Sequence, residues 1–186
     1  MGFSFCTVAL SIDRLVEVCG SKDERFLAAM VKAQKRAIAD ADDERDDDAP
    51  ALREVLADLV MGTVRYKKSG YRYAQAFEVL CQHLGKRVDD DDLNPSWVAE
   101  HLDDLLGGDI MKILRFYAKR LVTLPKWDGM PEVAMLEAKH CVALGPKFAD
   151  ALNRVGRRDK EQKRALTELG NWLKAGEKAG LVIFIR

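Results

Sequence analysis

The sequence predicts an α+β fold, predominantly helical, with N- and C-terminal strands paired in a small sheet covered by about seven helices. Three observations carry this. Phe3, Phe5, Cys6, Val8 and Leu10 make the first segment apolar on both faces, so a strand there needs cover on both sides. Leu181-Val182-Ile183-Phe184-Ile185 is a continuous, largely β-branched run, the pattern of a buried strand. Between them, apolar residues recur at helical spacing. A lone strand leaves its backbone groups unpaired, so the two are predicted to be neighbours.

The elements follow in order. Ser11 caps a short helix, Ile12 to Val18, that stops at Gly20. Ser21-Lys22-Asp23-Glu24 reads as a capping box opening a longer helix through Phe26, Leu27, Met30, Val31 and Ile38. That helix should end near Asp40, because residues 40–48 hold seven acids and one base. Carboxylates there oppose the helix dipole and repel one another. Residues 40–49 are therefore expected to form an acidic mobile loop. Pro50 suits the first turn of the next helix, whose core face is Leu52, Val55, Leu56, Leu59 and Val60 and whose stop is Gly62.

The central helix is Tyr71 to Leu84. Tyr73, Phe77, Leu80 and Leu84 form one stripe, and Ala74, Ala76, Val79 and Cys81 extend it almost all round, the mark of a helix buried on several sides. Gly85 should end it in a left-handed conformation. Pro95 begins a further helix with Trp97, Val98, Leu102, Leu105 and Leu106, broken by Gly107-Gly108. Asp109 caps one with Ile110, Ile113, Leu114 and Tyr117. Residues 123–131 are irregular, with two prolines and a glycine. A helix from Glu132 to Leu144, closed by Gly145-Pro146, a short turn over 148–155 and a last helix within 156–180 complete the pattern.

At 186 residues the chain fits one domain spanning 1–186. A chain of this size buries roughly 70% of its unfolded surface, enough to need no metal or disulfide staple. No apolar run reaches the ~20 residues of a membrane helix, and the start lacks a signal-peptide pattern. Cys6, Cys19, Cys81 and Cys141 are scattered in apolar stretches, as buried thiols of a reducing, cytoplasmic compartment. Net charge is zero but unevenly spread: residues 1–110 carry 22 acids and 14 bases, the remainder 8 and 16.

Several strings occur in order: Gly20-Ser21-Lys22-Asp23, Leu59-Val60-Met61-Gly62, Asn94-Pro95-Ser96 and Trp172-Leu173 before an apolar strand. The longest is Tyr73-Ala74-Gln75-Ala76-Phe77-Glu78-Val79-Leu80-Cys81-Gln82-His83-Leu84-Gly85, whose most specific piece starts at Ala76. With them the chain resembles a bacterial family of uncharacterised proteins, a domain of unknown function of similar length. The resemblance implies a bacterial, cytoplasmic, single-domain protein and brings no activity with it.

Cys81 and His83 are two apart on a helix and face different ways, so they do not form a nucleophile–base pair. Glu78 sits among apolar residues and either reaches solvent, pairs with Arg72 or Arg65, or serves as an acid or base in a cleft. His83 and His101 are its candidate partners for hydrolase or transferase chemistry. His83, His101 and His140 lack metal-ligand spacing, and the acid run Asp89 to Asp92 lacks the calcium-loop pattern, so no metal and no cofactor is expected. Arg154, Arg157, Arg158, Lys160, Lys163 and Arg164 form a basic segment suited to phosphates, with no aromatic interleaved for stacking.

The expected function is therefore non-catalytic protein binding, for instance as a toxin-neutralising immunity factor. A basic partner would meet Asp42, Asp43, Asp46, Asp47 and Asp48. Trp127 is a candidate anchor, and Arg157, Arg158 and Arg164 would meet an acidic partner. The first alternative is the hydrolase or transferase with Glu78, the second nucleic-acid binding through residues 154–164.

Overall fold

The computed structural model describes residues 4–89, 93–108, 124–125, 132–156 and 159–186. Four antiparallel strands form one sheet in the order β2-β1-β4-β3, with β1 (Phe5–Ala9), β2 (Lys86–Arg87), β3 (Glu132–Leu136) and β4 (Leu181–Ile185). The terminal strands pair as expected, Thr7 opposite Ile183 and Ala9 opposite Leu181. β4 is flanked on its other side by β3, Ala134 opposite Ile183.

Side chains alternate across this sheet and feed two cores. Cys6, Val8, Val133, Met135, Val182 and Phe184 face a first layer of helices: α1 (Ile12–Val18), α2 (Glu24–Ala33), α3 (Lys35–Asp43), α4 (Leu52–Met61) and α5 (Gly70–Leu84). Phe5, Ala134, Leu136, Leu181, Ile183 and Ile185 face a second: α6 (Pro95–Leu106), α7 (Ala138–Arg154) and α8 (Lys160–Gly176). The sheet is thus covered on both sides, which is why β1 and β4 are apolar on both faces. Phe77 meets Phe184 edge-on at 6.1 Å in one core, and Phe5 meets Trp172 at 5.2 Å in the other.

α5 is the central helix of the first layer, with ten of its fifteen residues buried. Gly85 ends it differently from the expectation: its backbone is extended, φ −133°. What requires glycine is close approach. A Cβ there would lie 2.5 Å from the Ala9 carbonyl oxygen and 2.6 Å from the Leu10 Cβ. Gly85→Ala is expected to cost about 2–3 kcal/mol by overpacking against backbone; urea unfolding checks it, and a loss below about 0.5 kcal/mol overturns the contact.

Other boundaries also moved. The expected capping box is replaced by Asp23, whose carboxylate accepts from the Phe26 amide at 2.9 Å. The helix that follows breaks at Gln34 into α2 and α3. α3 continues to Asp43, past the expected end at Asp40. Pro50 precedes α4, whose N-cap is Ala51. The helix expected over 132–144 is instead β3 followed by α7, which runs through Gly145-Pro146. The helix expected over 109–117 lies outside the described residues, as does most of the irregular segment over 123–131.

Two strings of the sequence meet here backbone to backbone. Gly20 and Lys22 amides donate to the Leu59 and Val60 carbonyls, each at 2.9 Å. Gly62 is left-handed at φ 72°, and a Cβ on it would sit 3.0 Å from the Gly20 Cα. Both strings therefore serve the docking of the α1–α2 turn on the end of α4.

Candidate partner-binding site

The acidic connection between α3 and α4 is built around one arginine. Arg72, in the first turn of α5, is fully buried. Its Nε donates to the Pro50 carbonyl at 3.1 Å, and Nη1 to the Ala41 carbonyl at 3.0 Å and to Gln75 Oε1 at 2.8 Å. Nη2 donates to Asp42 Oδ1. That same carboxylate oxygen accepts from the Leu52 amide, 2.8 Å, at the start of α4. A buried guanidinium is tolerated only when its donors are satisfied by a charge and by hydrogen bonds. Here the satisfying groups come from both ends of the connection, so Arg72 ties Ala41, Asp42 and Pro50, and Leu52 through Asp42, to α5.

Residues 40–43 of the segment expected to form an acidic loop are the last turn of α3, and its carboxylates are not equivalent. Asp42 closes α3 and opens α4, and it is committed to Arg72. Asp43, Asp46, Asp47 and Asp48 are exposed, together with Glu44 and Arg45. The Tyr71 hydroxyl donates to Asp46 at 3.4 Å. Its pKa is raised, first by burial and then by the Asp46 charge.

A second knot holds the α4–α5 connection. Asp58, 1% exposed, accepts from the Thr63 hydroxyl at 2.9 Å, the Arg65 amide at 3.0 Å, the Arg65 guanidinium and the Tyr73 hydroxyl. Burial pushes its carboxyl up. The bonds from Tyr73, Arg65 and Thr63 outweigh that and hold it below the ordinary carboxylate range.

Glu78 pairs with neither Arg72 nor Arg65, since both serve the knots just described. Its Oε1 accepts from Gln82 and from Arg186, each at 3.0 Å. His83 lies edge-on to Phe26 at 5.6 Å, and His101 stacks on Trp97 at 4.6 Å with Nδ1 against the Trp97 carbonyl. The weak catalytic candidates thus occupy three separate surroundings. The thiols are held protonated. Cys6 is pushed up to about 12, chiefly by burial and then by Glu78; burial takes Cys19 to about 12, Cys141 to about 11, and Cys81 well above its ordinary value. A thiol so raised is a poor nucleophile.

Asp89, the first of the acid run Asp89 to Asp92, is a structural acid. It accepts from the Thr7 amide at 2.5 Å and pairs with Arg87 at 2.8 Å. Arg164 is exposed on the first half of α8. The basic stretch around it is tied to acidic α6: Arg154 donates to the Leu105 carbonyl and Gln162 to that of His101. Trp127, Arg157 and Arg158 lie outside the described residues. Among the described residues no group of histidines, cysteines and carboxylates could hold a metal ion, and no helix is long and apolar enough to cross a membrane.

Sequence reasoning missed Arg72 and Asp58. Each interrupts an apolar helical pattern, which is a signal that a polar residue is buried, but it names no partner.

A family described as a domain of unknown function (DUF7691) matches residues 1–186, so the chain belongs to that family. No curated protein and no solved structure matches it.

Proposed function

We propose that this member of the family is a non-catalytic protein-binding factor of the bacterial cytoplasm. It would take a basic partner on Asp43, Asp46, Asp47 and Asp48, in the manner of an immunity protein neutralising a basic toxin. The observation that supports this is the buried Arg72 holding both ends of the acidic connection. A segment that only solvates the chain has no need of a fixed geometry, and crowding carboxylates raises self-repulsion. Carboxylates on a connection anchored at both ends meet a complementary surface with less loop entropy to lose. The involvement of Glu78 with Gln82 and Arg186, and the protonated thiols, favour structural over catalytic roles for those groups.

Charge of this kind acts mainly on association rate and weakens as salt shortens the Debye length, about 8 Å at physiological ionic strength. Changing Asp43, Asp46, Asp47 and Asp48 to Asn, with Asp42 kept, should leave thermal melting unchanged. Association with a partner recovered by co-purification should slow about tenfold or more at low salt, and its salt dependence should flatten. The check is stopped-flow association at several salt concentrations; an unchanged on-rate returns the segment to a solvated surface.

A further inference from the structure

β1 and β3 run the same way, on either side of β4. β1 leads into α1 in the first helical layer, and β3 into α7 in the second. The chain therefore leaves the two strand ends that flank β4 towards opposite faces of the sheet. A groove of about 470 Å³ is lined by Ile12, Asp13, Val16, Glu17 and Glu137. Gly180, at φ +120°, packs tightly beside Ile12: a Cβ there would fall 2.5 Å from Ile12 and 2.8 Å from the Leu136 carbonyl oxygen.

The lining is of two kinds. Ile12 and Val16 are aliphatic, and Val16 is 39% exposed, one of two large apolar side chains left open among the described residues. Asp13, Glu17 and Glu137 surround them with carboxylates. Glu17 meets Arg14 at 3.3 Å and Glu137 meets Lys139 at 2.8 Å, with both cations well exposed. Such surface pairs are weak and their long side chains exchange easily. Ile12 is 5% exposed, so Val16 is the open aliphatic surface; an exposed valine among carboxylates matches a side chain that is aliphatic along its stem and cationic at its tip.

We propose that this groove docks a lysine-bearing segment of the basic protein partner, the stem lying on Val16 beside Ile12 and the ammonium among Asp13, Glu17 and Glu137. The proposal rests on the reading of a basic partner, but it places a second contact away from the acidic connection.

The test uses the full chain and three probes: an amidated tetralysine peptide, a charge-matched tetrapeptide of diaminopropionic acid that lacks the stem, and spermidine. Backbone and methyl NMR shifts report where each binds. Tetralysine should shift Val16 and Ile12 and bind more tightly than the short-stemmed peptide. Val16→Ser should level that preference. Asp13→Asn with Glu17→Gln should weaken tetralysine about three- to tenfold, since each exposed pair contributes modestly. Equal binding of the two peptides, or shifts confined to residues 43–48, overturns the groove. Spermidine giving the same shifts with tighter binding than tetralysine overturns the protein source. Shifts in the groove with none at 43–48 uphold the groove and count against the proposed function, so the two fail separately.

Discussion

Deleting residues 181–186 is expected to abolish the cooperative thermal transition. Among the described residues β4 is the only strand that pairs with both β1 and β3, and all five of its side chains are buried. They belong to both cores: Val182 and Phe184 to one, Leu181, Ile183 and Ile185 to the other. Burying each such side chain contributes about 1.5–3 kcal/mol, so the five together match a total stability of about 5–15 kcal/mol. The deletion also strips β1 and β3 of their shared partner, leaving buried backbone groups unsatisfied. Arg186 goes with it, and Glu78 loses its cation. Circular dichroism on heating is the measurement: a truncated chain that melts as the full one does would show that the sheet is peripheral.

The strength of that expectation was visible before any coordinates, because Leu181 to Ile185 is apolar without interruption and so has no face for water. β3 was not visible. Val133-Ala134-Met135-Leu136 is as apolar, but alanine, methionine and leucine favour helices, and the run continues into residues that do form one. The free flank of β4 decided it: pairing there overrides local preference. The central helix was legible from Tyr73, Phe77 and Leu80, since its period needs no partner to be read. Its polar interruptions were not. Arg72 and Glu78 look alike on a helical wheel, yet one reaches carbonyls at Ala41 and Pro50 and the other reaches Arg186. Those separations are set by the fold and leave no local trace. Asp42 was hidden differently, as one acid among seven within nine residues.

Arg72→Met should separate the anchored reading of the acidic connection from a merely charged one. Methionine keeps much of the buried stem but supplies no donor. Pro50, Ala41 and the Asp42 carboxylate would then all lose their bonds from the guanidinium. Removing one partner of a buried ion pair typically costs about 3–5 kcal/mol, because the other charge is left uncompensated. Asp42→Asn should cost a similar ~3–5 kcal/mol: its amide oxygen can still accept from the Leu52 amide, but the fully buried Arg72 charge is left without its anion. The double variant should be less destabilised than the sum of the two, as expected for residues sharing one network. Hydrogen exchange locates the effect: the amides of Ala49, Ala51 and Leu52 should lose protection in Arg72→Met while those of β4 keep theirs relative to the lowered global stability. If Arg72→Met costs under about 1 kcal/mol, the arginine is not what fixes the connection, and the carboxylates at 43–48 are presented by a loose segment after all. If it costs several, the four exposed aspartates ride on a scaffold that the core itself holds in place.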